Sequence, residues 1–199
     1  MALKIEVADL GLPALDALDV DAVGVFVGPE RPLQGLAGFV DWRMCGAISR
    51  AIRNGLFEGA RGEALLLPTG GRMGPARLFC FGLPDVSLAP EAFLPAARAG
   101  LEALARAGSE AFAISMPSLS GGDAALAARL WVEASLTKPV RRQVVLGDAR
   151  QLQRDLSTAR NTLAVEVEVI APPTRVEMPR ARALPHVGGV LRAPAVPRS

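Results

Sequence analysis

Asp21-Ala22-Val23-Gly24-Val25-Phe26-Val27 is the stretch on which the fold turns. After Asp21 it carries no polar side chain, and so short an apolar run has the length of a strand rather than of a helix. A strand without a wet face must be covered on both faces, which places it in the middle of a buried sheet. Leu78-Phe79-Cys80-Phe81 and Ala111-Phe112-Ala113-Ile114-Ser115 are likewise apolar at nearly every position. Separated by longer segments of helical period, these runs define an α/β layered domain.

Working outward, strands are expected over residues 3–7, 22–27, 63–67, 77–82, 111–116, 142–146 and 163–170. In the last of these Val165, Val167 and Val169 alternate with Glu166 and Glu168, as in a strand with one solvated face near a sheet edge. A first helix is expected over 39–54, where Val40, Met44, Ile48 and Ile52 recur every four positions and Gly55 ends the run. Others are expected over 87–107, with Pro95 opening the regular part, over 123–134 and over 148–159. Asp123 and Asp148 stand as N-caps. Gly70-Gly71-Arg72-Met73-Gly74-Pro75 reads as a hairpin connection, and Asp16, Asp19 and Asp21 as a solvated loop.

The layered pattern stops after Ile170, so the chain divides into a domain of residues 1–170 and an extension of residues 171–199. Six of the 16 prolines fall in the extension, with five arginines against Glu177. The extension is read as disordered or as a short linear motif; its candidate contacts are Arg175, Arg180, Arg182, Val190, Leu191 and Arg192. It carries a net charge of +4, which leaves −2 on residues 1–170. A mildly acidic domain has no broad basic face for phosphate, so nucleic acid is restricted to the extension. The alternating charges of Leu3-Lys4-Ile5-Glu6-Val7 do not make a signal peptide, and nowhere is there an uncharged apolar run long enough to span a membrane. Cys45, in a helical pattern, and Cys80, in an apolar run, read as reduced, buried thiols of a cytoplasmic protein.

With one histidine, two cysteines and no tyrosine, metal sites, disulfide frameworks and histidine-based catalysis lack their parts. The histidine, His186, lies in the extension without an acidic or thiol neighbour. No dinucleotide fingerprint, P-loop, nucleophile elbow or HExxH helix occurs, so neither a catalytic residue, a metal nor a cofactor is assigned. Two loops remain as ligand candidates. Ser118-Leu119-Ser120-Gly121-Gly122 leaves a central strand and opens a helix, where backbone amides can face an anion. Against that, Asp123 puts a negative charge where a phosphate would sit, and such turns form without ligands. Gly28-Pro29-Glu30-Arg31-Pro32-Leu33-Gln34-Gly35 leaves another central strand, but its prolines and glutamate suit a stiff surface turn better than a cradle.

Taken together, several segments resemble the N-terminal domain of the leucyl aminopeptidases, the M17 peptidases. They are Leu3–Val7, Asp21–Phe26, the expected helix from Phe39 running into Asn54-Gly55-Leu56-Phe57-Glu58-Gly59-Ala60-Arg61-Gly62-Glu63, then Leu65-Leu66-Leu67-Pro68 and Arg77–Leu83. The most specific piece is Phe57-x-Gly59-x-x-Gly62-Glu63. The later strand and helix over 142–159 resemble the closing unit of macro domains. The resemblance implies a three-layer α/β/α macro-domain-like fold with a mixed, mostly parallel sheet. It also implies that peptide hydrolysis belongs to a following metal-binding domain, which these residues do not contain. Macro domains bind ADP-ribose, yet the asparagine and glycine run expected after Val27 are replaced by Gly28-Pro29-Glu30-Arg31.

The expectation is a non-catalytic macro-like domain serving as a protein-interaction, self-association or assembly module. The alternatives are a nucleotide or ADP-ribose binder using Gly28, Gly35, Ser118, Ser120, Gly121 and Gly122, and nucleic-acid binding through the extension. The face of the first helix carrying Trp42, Cys45 and Ser49 is a further candidate interface, or a stripe packed under a loop.

Overall fold

The computed structural model describes residues 3–137 and 142–170. Seven strands form one sheet: β1 (Leu3–Asp9), β2 (Ala22–Val27), β3 (Ala64–Pro68), β4 (Arg77–Gly82), β5 (Ala111–Ile114), β6 (Arg142–Gly147) and β7 (Val167–Ile170). Their order is β3-β4-β2-β5-β6-β1-β7, parallel throughout except for the antiparallel β3·β4 pair. The helices are α1 (Leu12–Asp16), α2 (Gly35–Arg43), α3 (Ala47–Arg53), α4 (Pro90–Arg106), α5 (Ala124–Thr137) and α6 (Ala149–Leu163).

The strand alternation sends side chains into two cores. Phe26, Phe81, Phe112 and Ile5 pack with Phe93, Leu101, Trp131 and Leu156 of α4, α5 and α6. Val23, Val25, Leu78 and Cys80 pack with Leu15, Val40 and Ile48 of α1, α2 and α3. Every residue of β2 is buried, because it lies inside the sheet with helices on both faces. The fold is therefore the expected three-layer α/β/α arrangement.

Some boundaries differ from the sequence reading. The helix expected over 39–54 is two helices, broken at Met44-Cys45-Gly46. Cys45 and Gly46 adopt φ of +53° and +77°. The Asp41 carboxyl starts α3 by accepting from the Ile48 amide at 2.8 Å and the Ser49 amide at 3.1 Å. The break keeps Val40, Met44 and Ile48 on one buried side, so the four-residue spacing survives it. Asp16 lies in α1 rather than in a loop, since Leu15 is fully buried beneath it. Helix α4 begins at Pro90, with Pro95 inside it and exposed, at the loss of one backbone hydrogen bond. The strand expected over 163–170 starts at Val167, because α6 runs on to Leu163 and turns at Ala164, φ +51°. Asp148 caps α6 as expected, accepting from the Gln151 amide at 2.9 Å, and β7 is an edge.

Candidate functional site

The connections leaving the carboxyl ends of β2, β4 and β5 form one neighbourhood. The Leu83 amide donates to the Val27 carbonyl at 2.9 Å. Leu88 and Leu119 form a parallel bridge, the Leu88 amide donating to Ser118 and the Ser120 amide to Leu88, each at 2.8 Å. The two loops singled out in the sequence therefore both lean on residues 83–89.

Their chemistry is turned inward. A side chain at Gly28 would strike the Glu30 carboxyl, whose Oε2 is buried and has no hydrogen-bond partner among the described residues. Arg31 Nη1 donates to the carbonyls of Gly28 at 2.8 Å and Glu30 at 2.6 Å. Gly35 opens α2 at φ +54°, exposed. On the other loop Ser118, Ser120, Gly121 and Gly122 are exposed, but the amides of Ser120 and Gly122 are bonded to Leu88 and Leu119. Asp123 Oδ1 accepts from the Leu126 amide at 2.9 Å, so the first turn of α5 is capped by its own carboxyl. A bound anion would have to displace these partners.

A second feature is an open groove of about 860 Å3 beside α2 and α3, bordered by Trp42, Arg43, Cys45, Ser49 and Arg72. Trp42 is 67% exposed and Phe39 37% exposed. Cys45 is exposed rather than buried, because the break between the helices turns it outward. Its Sγ accepts from Arg72 Nη1 at 3.0 Å, and its carbonyl accepts from the Arg50 guanidinium. Asp41 is consumed by α3, its Oδ2 accepting from Ser49 Oγ at 2.5 Å, while Arg43 pairs with Asp16 at 2.8 Å. Arg72 was not legible as part of this face, since it reaches it from the β3–β4 turn, 27 residues from Cys45. Cys80 is different: burial, and secondarily the Asp41 charge, push its thiol up to about 12, so it is no nucleophile.

The motif Phe57-x-Gly59-x-x-Gly62-Glu63 is a clasp. Phe57 is fully buried, and Glu63 accepts from the amides of Glu58, Gly59 and Ala60. A side chain at Gly82 would run into the backbone of Gly59 and Ala60, so the clasp lies directly on β4. The residues of the extension, Arg175, Arg180, Arg182, Val190, Leu191, Arg192 and His186, lie outside the described residues. Among the described residues no cluster of three His, Cys, Asp or Glu side chains is placed to hold a metal. No helix there is long and apolar enough to cross a membrane.

A three-layer α/β/α domain with a clasped β4 and connections converging at the strand carboxyl ends is a macro-like domain. The chain belongs to the cytosol aminopeptidase family: the family's N-terminal domain matches residues 22–138. Among solved structures it is similar to a mutant tomato leucine aminopeptidase, at 17% identity and a TM-score of 0.55 over 81% of this chain and 36% of that one. The chain thus spans about a third of that aminopeptidase's length. It is also similar to an Oceanobacillus iheyensis macrodomain mutant with ADPR, at 14% identity and a TM-score of 0.58 over 80% of this chain and 92% of that one. The macrodomain of Mycobacterium tuberculosis DarG matches at 17% identity and a TM-score of 0.51, over 74% of this chain and 99% of that one. No curated protein matches the chain.

Proposed function

We propose that the chain is a non-catalytic, cytoplasmic macro-like domain that acts as a protein-interaction and assembly module. The observation that carries this reading is Trp42, two-thirds exposed beside Phe39 on α2 and over the groove that Arg72 borders. Tryptophan and arginine around a concave surface are the residue types that dominate protein-binding energy, and apolar side chains grouped at a groove mark interaction sites. With Asp41 committed to α3 and Arg43 paired with Asp16, the groove presents Arg72 beside Trp42 and Leu33. The fitting partner is a protein segment carrying an apolar side chain flanked by carboxylates. The test is capture from lysate of the source organism with wild type and Trp42→Ala side by side, followed by titration of the retained protein. Trp42→Ala is expected to weaken binding at least tenfold without loss of folding. Equal retention by both proteins would remove this groove from the reading.

A nucleotide-like ligand at Gly28, Gly35, Ser118, Ser120, Gly121 and Gly122 is the second reading, supported by the likeness to a macrodomain with ADPR. The Glu30 carboxyl over Gly28 and the self-bonded amides of the second loop weigh against it. An ADP-ribose titration separates the two: saturable binding tighter than about 100 μM supports the ligand reading, and a flat titration removes it. Nucleic-acid binding through residues 171–199 predicts a steep salt dependence that truncation at residue 170 abolishes.

A further inference from the structure

The two edges of the sheet are built differently. At one edge β7 carries Glu168, which pairs with Lys4 at 3.6 Å, with Glu166 just before it. Charges of this kind keep a free edge from pairing with other strands. At the other edge β3 reads Ala64-Leu65-Leu66-Leu67-Pro68, with no charged side chain and Leu66 53% exposed. The preceding Glu63 gives no protection either, since its carboxyl is folded onto the 58–60 amides.

The register shows which backbone groups are open. The Gly82 amide donates to the Glu63 carbonyl and the Thr69 amide to the Ala76 carbonyl, both within the β3·β4 pairing that sets Leu65 against Cys80 and Leu67 against Leu78. In an antiparallel ladder bonding residues alternate, so Leu65 and Leu67 bond toward β4. The N–H and C=O of Ala64 and Leu66, and the C=O of Pro68, point away from the sheet, where β3 has no neighbour among the described strands.

We propose that this edge pairs with the β3 edge of a second copy of the chain, antiparallel about a two-fold axis at Leu66, making one continuous sheet across two domains. The open groups are self-complementary. Leu66 exchanges both backbone bonds with its own mate, and each Ala64 N–H meets the partner's Pro68 carbonyl, which is the one group that Pro68 still offers. On the α4 side of the sheet Leu66 faces Leu66, and Ala64 faces Pro68, so every cross-strand pair is apolar. The inference rests on the reading of the chain as an assembly module and adds to it self-association at the β3 edge, a surface apart from the Trp42 groove.

The test uses the full chain. Sedimentation over a concentration series is expected to show a monomer–dimer equilibrium, with Leu66→Lys raising the dimer dissociation constant at least tenfold while its circular dichroism, and its melting temperature at concentrations where wild type is monomeric, stay those of wild type. In a Cys45→Ser background, Leu66→Cys is expected to give a disulfide-linked dimer on mild oxidation. Ala64→Cys is not, because each Ala64 faces Pro68 and not its own mate. A monomer at all concentrations, or a dimer indifferent to Leu66→Lys and not cross-linked by Leu66→Cys, overturns the proposal. A monomer that still loses a captured protein on Trp42→Ala would leave the module reading standing while this one fails.

Discussion

Glu63 holds Gly59: Oε2 accepts from the Gly59 amide at 2.8 Å and from the amides of Glu58 and Ala60 at 3.0 Å each. The turn it closes keeps Phe57 buried and seats Gly59 and Ala60 on Gly82. Charge-assisted bonds to backbone amides contribute more than neutral ones. Glu63→Ala is expected to destabilise the domain by about 2 kcal/mol, and Glu63→Gln by less, since an amide keeps one acceptor. In urea unfolding the midpoint should fall with the slope unchanged. A midpoint shift for Glu63→Ala within error of wild type would show the clasp to be redundant.

Gln143 sits fully buried in β6, between Ile5 and Phe112 on the neighbouring strands. Its Oε1 shares the one Ser135 Oγ proton, at 3.2 Å, with the closer Trp131 carbonyl, and among the described residues its Nε2 has no partner, nor has the Nε1 of buried Trp131. A buried donor without a partner costs about 1–3 kcal/mol, whereas Ser135 keeps its bond to the Trp131 carbonyl whatever stands at 143. Gln143→Met, similar in volume, is therefore expected to be neutral or to stabilise by about 1 kcal/mol, read as a rise in melting temperature. A loss of stability would mean that a water bridges the two donors.

The sequence made the layers legible because burial on both faces leaves β2, β4 and β5 uniformly apolar, and period four marks a helical face regardless of small breaks. It hid the break at Cys45-Gly46, since the side chains that cross it stay on one side and Asp41 supplies the new cap from outside the turn. The loops at the strand carboxyl ends were legible as neighbours, but not the Glu30 carboxyl folded over Gly28, which is a matter of one rotamer. The Trp42 stripe was visible and its partner Arg72 was not, because only the antiparallel β3·β4 turn brings it there. The open β3 edge was invisible for the same reason: strand order is a property of the assembled sheet.

Ala164 ends α6 in the left-handed region at φ +51°, its amide donating to the carbonyls of Arg160 and Asn161. This is the position at which helices favour glycine, because a β-carbon there crowds the following carbonyl. Ala164 is exposed, so no packing is lost by its removal. Ala164→Gly is expected to stabilise by about 0.5–1 kcal/mol, and Ala164→Val to destabilise by more than that. Chemical unfolding of the pair checks the sign: if both substitutions lowered stability equally, the left-handed turn would not be what limits α6.

Cys80 gives the domain an alkaline limit that can be read almost in isolation. Its thiol is raised from 9.0 to about 12, by burial first and then by the Asp41 charge. The folded state therefore keeps a proton that the unfolded state releases above pH 9. The sign follows from linkage: the contribution is complete below pH 9 and is lost as pH rises from 9 toward 12, at up to about 1.4 kcal/mol per pH unit. Tyrosine, which would titrate in the same range, is absent from the chain. Cys80→Ala should be less stable than wild type at pH 8 by the cost of a small cavity, of order 1 kcal/mol, and should lose little more at pH 10.5, so the two curves converge or cross. Urea melts at pH 8, 9.5 and 10.5 on both proteins decide it, and parallel curves would mean that the thiol ionises in the folded protein as readily as in the unfolded chain.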